Sequence, residues 1–329
     1  MANRKRRILR GVPGAMSQDS AWKDVLEPLF PQFLEFFFPD IYQDVDFSKG
    51  FEFLDKELQQ ILKRSKSGKR IVDKLVKIFL KNGKERWLLL HIEIQGYEEK
   101  AFARRIFGYN YRIFDKFDRD VVSLVILTDN NPKFRPHRYE VQHWGFRLTF
   151  EFPSVKLLDY RHNWDTLVTH SNPFAIAVRA FLKTLETRGR DQDRYSWKKA
   201  LLMELYSRGM NRKTVLALYQ FIDWSMNLPK PLEDQLFHEI TEFEEKKNMP
   251  VLTTAEKIGM KKGIQQGQIA GLHWAIEDIL ELKFGDAAKE LLELIKPVED
   301  IALLKQLRES LKKAHDVAEA RELIEKILR

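Results

Sequence analysis

The sequence predicts an α/β domain followed by an all-helical C-terminal region. Two β-rich runs follow a helix-periodic stretch and are joined through Asn82-Gly83, the strongest short hairpin signal. A further strand-like run comes after an amphipathic helix, which implies an α/β order of elements. From about residue 166 onward, every segment carries the 3.6-residue period of a helix.

Taken in order, residues 1–20 include MANRKRRILRG, with five basic residues and no apolar h-region, so they are expected to be a basic flexible tail rather than a secretory signal. Residues 21–38 place Trp22, Leu26, Leu29 and Phe33 at spacings compatible with a short helix interrupted by prolines. Residues 51–64 predict a clearer helix, because Phe51, Leu54, Leu58, Ile61 and Leu62 fall on one face. Ser65 to Lys69 is a loop; Arg70 to Leu80 and Arg86 to Gln95 are the hairpin strands. Tyr97 to Asp118 predicts a helix with Phe102, Ile106, Tyr109, Ile113 and Phe117 on one face and Lys100, Arg104, Arg105 and Arg112 elsewhere. Asp120 to Asp129 is a second buried-type strand, and Gly145–Phe152 and Val155–Tyr160 are expected to be edge strands around Pro153. The α/β domain is accordingly placed at residues 21–165.

Residues 166–250 form a helical region with periodic segments at 172–188, 191–208, 211–226 and 231–247. Residues 251–329 open on Thr253-Thr-Ala-Glu256, a capping box with Thr253 or Thr254 as the N-cap. Gly259, Gly263, Gly267 and Gly271 then recur every four residues, but Lys261, Lys262, Gln265, Gln266 and Gln268 exclude a membrane dimerisation helix. The recurrence fits a small-residue packing stripe or, second to it, a hinge. Two or three more helices follow, broken at Gly285 and Pro297.

Hydrophobic residues make up 44% and aromatic residues 12% of the 329, enough to fill a real core. Lys plus Arg outnumber Asp plus Glu by 56 to 48, and the resulting +8 favours a polyanionic partner. The absence of cysteine removes disulfide scaffolds, cysteine nucleophiles and thiolate metal sites, and fits a cytoplasmic protein. The most apolar early stretch, Val25 to Tyr42, is broken by Glu27, Pro28, Pro31, Glu35, Pro39 and Asp40, so no membrane partner is expected. Walker, dinucleotide, HExxH and nucleophile-elbow motifs are missing.

The return strand of the hairpin is the most informative segment. With period two, Leu88, Leu90, Ile92 and Ile94 take one face and Trp87, Leu89, His91, Glu93 and Gln95 the other. Both faces are apolar at the start, as in a central strand, and only one turns polar at its end. A carboxylate buried there needs a cation, a proton or strong donors. Folding at Asn82-Gly83 pairs residues whose numbers sum to about 165 (an estimate from the hairpin register), which sets Asp73 beside residues 91–93. Asp73, Glu93 and the backbone carbonyl of Ile94 then make a workable site for Mg²⁺, with Mn²⁺ as substitute, since hard cations want oxygen ligands.

These residues also carry a resemblance. Arg70-x-Val-Asp73-Lys-Leu-Val-Lys, the hairpin, Leu-Leu-His91-Ile-Glu93-Ile-Gln95-Gly, the helix containing Phe102-Ala-Arg-Arg105, and the strand ending Leu127-Thr-Asp129 together resemble the Rpn-type recombination-promoting nucleases and YhgA-like transposases of the PD-(D/E)XK superfamily. The resemblance covers about residues 20–165 well, the glycine segment loosely and the helical middle poorly. It implies a mixed sheet flanked by helices, metal-dependent endonucleolytic cleavage of DNA and a role in recombination or transposition. It further implies that Asp73 and Glu93 are metal ligands, that Gln95 stands where lysine is usual, and that Glu57 is an additional catalytic acid. A neutral amide supplies no charge, so Lys100 or Arg105 is the candidate replacement, whereas Lys74 should point to the opposite strand face.

Blander roles stand beside these. His91 is expected to be a satisfied core or site-wall histidine rather than a ligand. Arg104, Arg105 and Arg112 form by default a solvated helix face; with Lys100, their functional role would be DNA phosphate contact. Gln95 and the long helical half motivate an alternative: a catalytically inactive nuclease fold that binds DNA or protein and forms homo-oligomers through its helices.

Overall fold

The structure, a computed structural model, describes residues 15–63, 74–81, 87–247 and 254–328. The chain divides into two compact units, the first running to Val251 and the second starting at Leu252. No helix among the described residues is long and apolar enough to cross a membrane.

The first unit opens with helices α1 (Ala15–Leu26), α2 (Phe30–Phe37) and α3 (Pro39–Asp44). The helix therefore begins inside the segment expected to be a tail, and Pro28 separates α1 from α2 instead of breaking a single helix. Strand β1 (Phe51–Phe53) and helix α4 (Asp55–Lys63) follow, so the stretch 51–64 is a helix only in its second part. Phe51 and Phe53 alternate with exposed Glu52 and set their rings 4.8 Å and 5.7 Å from Phe30, which holds this short segment in the sheet. Strands β2 (Lys74–Phe79) and β3 (Trp87–Gln95), helix α5 (Phe102–Phe117) and strand β4 (Val121–Leu127) complete the central pattern.

Strands β5 (Arg138–His143) and β6 (Phe146–Glu151) pair only with each other. The segment 145–152 is thus half of a separate two-stranded ribbon rather than a sheet edge, and the edge position is taken by β7 (Ser154–Lys156). Beyond Lys156 the expected strand gives way to a 3-10 helix, Leu157–Asn163.

The main sheet has the order β1-β2-β3-β4-β7 and is mixed. The first three strands run antiparallel and β4 and β7 lie parallel to β3. A parallel neighbour requires a crossover, and α5 supplies it between β3 and β4. The β2–β3 register pairs Lys74 with Ile92 and Phe79 with Trp87, a constant sum of 166. The turn residues Asn82 and Gly83 and the candidate ligand Asp73 lie outside the described residues.

Register sorts the side chains. Val76, Ile78, Leu90, Ile92, Ile94, Leu124 and Ile126 enter one large core with Trp22, Phe30, Phe33, Phe174, Phe181 and Phe221. Each such aliphatic side chain contributes about 1.5–3 kcal/mol on burial, so this face anchors β3 and β4. On the other face, Leu75 and Leu89 pack with Leu58, Ile61, Tyr109 and Ile113, while Val125 and Leu127 pack with Phe102, Ile106 and Phe152. Between these two apolar patches, beneath α5, runs the polar series His91, Ser123, Glu93 and Gln95.

The rest of the first unit is helical, with α6 (Trp164–Thr169), α7 (Pro173–Glu186), α8 (Asp191–Ser207), α9 (Arg212–Ser225) and α10 (Lys230–Lys247). Asn172 caps α7 by accepting from Phe174 N at 2.9 Å, with proline in the first turn, and Asn211 caps α9 through Thr214 N at 2.9 Å. Lys198, with no side-chain exposure, is held by Asp223 at 2.6 Å and Glu233 at 2.7 Å.

In the second unit, α11 (Thr254–Phe284) is helical across all four spaced glycines; Thr253 lies outside the described residues. A Cβ placed on Gly271 would meet nothing within 4 Å, so close packing does not explain that glycine. Helices α12 (Ala288–Ile295), α13 (Ile301–Leu311) and α14 (Val317–Leu328) follow the breaks at Gly285, Pro297 and residues 312–316. Leu272, Ile276 and Leu280, one turn apart on α11, pack with Leu291, Ile295, Leu304, Leu307 and Ile324 to give this unit its own core.

Candidate functional site

The last turn of polarity on β3 sits where two physical demands conflict. Glu93 is 3% exposed and Gln95 2% exposed, yet both belong to a strand whose first half is purely apolar. Their environment is supplied by α5. Arg105 donates from Nη1 to Glu93 Oε1 at 3.1 Å and from Nη2 to Gln95 Oε1 at 2.9 Å. It also reaches Glu99 Oε2 at 3.2 Å. The Gln95 amide in turn donates from Nε2 to the Tyr97 carbonyl at 2.6 Å, which fixes its oxygen toward the guanidinium.

Arg105 was expected on a solvated helix face; its side chain is 13% exposed and lies over the rings of Phe102, at 5.1 Å, and Tyr109, at 5.6 Å. Those contacts follow from spacing. Phe102 precedes it by three residues and Tyr109 follows by four, so Arg105 belongs to the apolar stripe of α5. A cation on such a stripe requires an anionic partner, and Glu93 is it. Lys100, Arg104 and Arg112 are exposed.

The other candidates are spread more widely. Glu57 is half-buried in the first turn of α4, but the link from that turn to β2 is made by Asp55, which bonds Lys74 at 2.5 Å and receives Leu75 N at 3.4 Å. Lys74 pairs with Ile92 across the strands, on the face opposite Glu93, and also bonds Glu27 at 3.0 Å. The side chain of Ile94 points to the large core, leaving its carbonyl as the only group it could offer. Among the described residues, no three His, Cys, Asp or Glu side chains are grouped to hold a metal ion.

A second buried pair lies two strands away. Lys156 stands in register with Leu127, which stands in register with Gln95, so the three share a face. Its Nζ meets Asp129 Oδ2 at 2.5 Å, both side chains being 3% exposed or less. Burial pushes the Lys156 ammonium below its ordinary range against the pull of Asp129. Asp129 Oδ1 accepts from Asn131 N at 2.9 Å, and Asn131 Nδ2 donates to Glu98 at 2.9 Å, tying the loops after β4 and β3 together. Sequence reasoning passed over Lys156. Its signal was a lysine set between Val155 and Leu157-Leu158.

His91 closes the inner end of the polar series. It has no exposure, its Nδ1 lies 3.3 Å from Ser123 Oγ, and its ring meets Tyr109 edge-on at 6.0 Å. Burial pushes the imidazole down from 6.5 to about 4; Glu93 opposes this, and Arg105 and Lys23 reinforce it. Between about pH 6.5 and about pH 4 the unfolded chain therefore binds a proton that the folded chain refuses, so stability falls on acidification. The full loss is about 3 kcal/mol at 1.36 kcal/mol per pKa unit. Urea unfolding across this range in EDTA should show a steeper decline for the natural chain than for His91→Gln. Parallel curves would show that His91 does not carry the effect.

Comparison with family models, with curated proteins and with solved structures finds no match to the chain.

Proposed function

We propose that the chain is a metal-dependent DNA endonuclease with a PD-(D/E)XK-type core, acting in recombination or transposition. The observation that carries this reading is the placement of Glu93 and Gln95, buried side by side at the end of a central strand and facing a cation on the crossover helix. The order of an antiparallel trio of strands, a crossover helix and a parallel strand supports it. So do the exposed Lys100, Arg104 and Arg112 on and before that helix, available to phosphates.

Glu93 and the Ile94 carbonyl are hard oxygen donors of the kind Mg²⁺ or Mn²⁺ takes, and Asp73 would complete the set. When bound, such an ion polarises a phosphodiester oxygen and makes its bound water a hydroxide source at neutral pH. The chain's own residues do the rest. Gln95 is oriented by its bond to Tyr97 O and accepts from Arg105, and Arg105 brings the positive charge that an amide lacks. The buried pair Lys156–Asp129 ties β7 to the segment that follows β4.

The test is nicking of supercoiled plasmid with Mg²⁺ or Mn²⁺, set against an EDTA control. Metal-dependent nicking is the expected result; an inert preparation that still binds DNA would remove the catalytic reading.

One observation favours a second reading. Arg105 already contacts Glu93, Gln95 and Glu99 together, a charge compensation that calls for no metal. On that reading the fold is a catalytically inactive module that binds DNA or protein in the cytoplasm, with its helices driving self-association. Specific divalent-metal binding at Glu93 would count against it.

A further inference from the structure

The β5–β6 ribbon carries a residue in the least favourable place for it. His143 pairs with Phe146, leaving Trp144 and Gly145 as the two-residue connection. Both have positive φ, 43° and 87°. That combination belongs to a type I′ turn, whose first position selects Asn, Asp or Gly because a bulky side chain is strained there. Trp144 is nevertheless the occupant and is fully exposed, at 102%. Phe146 beside it is 58% exposed, and the His143 ring lies 5.7 Å from that of Trp144. Neither folding nor solubility gains from a tryptophan so placed, and backbone outliers of this kind cluster at functional positions.

The ribbon is also held in a defined position. Tyr139 stacks on Phe107 of α5 at 5.3 Å and Phe150 meets the same ring at 5.5 Å, so the root is seated on the helix that carries Arg105. With six residues per strand, the ribbon extends about 20 Å at ~3.3 Å per residue. Along the face shared by Tyr139, Phe150, His143 and Phe146, half-buried rings at the root give way to exposed rings at the tip.

We propose that Trp144, flanked by His143 and Phe146, is a stacking platform for an unpaired base of single-stranded or melted DNA. The inference rests on the nucleic-acid part of the preceding reading and not on catalysis. Charge and composition select this partner. The tip segment 142–147 has no aliphatic side chain, and the helix that seats the ribbon exposes Arg104 one turn before Phe107 and Arg112 further along. Trp144 stands at the tip and these guanidinium groups on the helix at the root, so a strand lying along the ribbon would meet an aromatic face and then cations, the combination that holds single strands.

The experiment is binding of the full chain to a fluorescently labelled homopyrimidine oligonucleotide, read by anisotropy in EDTA so that cleavage cannot intervene. Trp144→Ala and Trp144→Asn should each weaken binding roughly tenfold or more, the range for loss of one stacked base. Trp144→Phe should stay within about threefold, since it keeps a π-face. Asn tolerates positive φ, so Trp144→Asn should melt no lower than the natural chain, separating recognition from folding. Affinity of Trp144→Ala within about twofold of the natural chain would overturn the proposal. So would failure of the natural chain to bind the oligonucleotide at low salt. A change in mass by light scattering for Trp144→Ala, with oligonucleotide binding intact, would overturn it in favour of a contact between copies. Trp144-dependent binding without any metal-dependent cleavage would leave the platform standing and remove the nuclease reading alone.

Discussion

Glu93→Gln is expected to abolish metal-dependent nicking, lowering its rate at least about a thousandfold, which corresponds to losing ~4 kcal/mol of transition-state stabilisation. The substitution is nearly isosteric and keeps an oxygen that can accept from Arg105 Nη1, now 3.1 Å from Glu93 Oε1. It removes the negative charge that a divalent ion needs. Arg105 retains Gln95 at 2.9 Å and Glu99 at 3.2 Å, so the guanidinium is not stranded and the fold should persist. The check is the plasmid assay beside a thermal melt of the same preparation. A folded Glu93→Gln with full activity would sink the assignment, and Asp73→Asn is expected to behave likewise. An inactive variant that has also unfolded would be resolved by Asp73→Asn, whose melt and activity can be compared in the same way.

The parts of this fold that were legible in the sequence are those where local chemistry and tertiary placement demand the same thing. The alternation from Leu88 to Gln95 announced a central strand with one face turning polar, because a carboxylate cannot enter a sheet core without a partner. The helices after residue 166 were legible from their 3.6-residue period, and the structure adds that Asn172 and Asn211 cap two of their starts by local hydrogen bonds. Where placement is decided by distant contacts, the pattern misled. Phe51 fits the helical period of the segment after it, and distant contacts, with Phe30 more than twenty residues back and with β2, draw it and Phe53 into the sheet. The ribbon was half seen, because a Trp-Gly turn is not a standard hairpin signal and the strand before it, although it alternates, carries only two apolar side chains, Tyr139 and Val141. Arg105 shows the limit most clearly. Its place on the apolar stripe of α5 could be counted from Phe102 and Tyr109, but that it faces Glu93 depends on how the crossover helix lies on the sheet.

Arg105→Met should separate the two readings of the site. In the natural chain the guanidinium compensates a carboxylate that is 3% exposed, and removing one partner of a buried ion pair typically costs about 3–5 kcal/mol. Methionine preserves much of the packing on Phe102 and Tyr109, so the loss is chiefly electrostatic. Adding Glu93→Gln to Arg105→Met should then return most of the lost stability, because the uncompensated charge is gone. The divalent-ion response is the discriminating part. If Glu93 belongs to a metal site, Arg105 and the ion compete for it, and Mg²⁺ or Mn²⁺ should stabilise Arg105→Met more than the natural chain. A ligand at a hundred times its Kd contributes about 2.7 kcal/mol, enough for a clear shift in a melt. That extra stabilisation should vanish in the double variant. If instead the ion raises the melting temperature of all three chains equally, or of none, Glu93 is the anion of a closed structural pair. The site then holds the crossover helix onto the sheet and does no chemistry of its own.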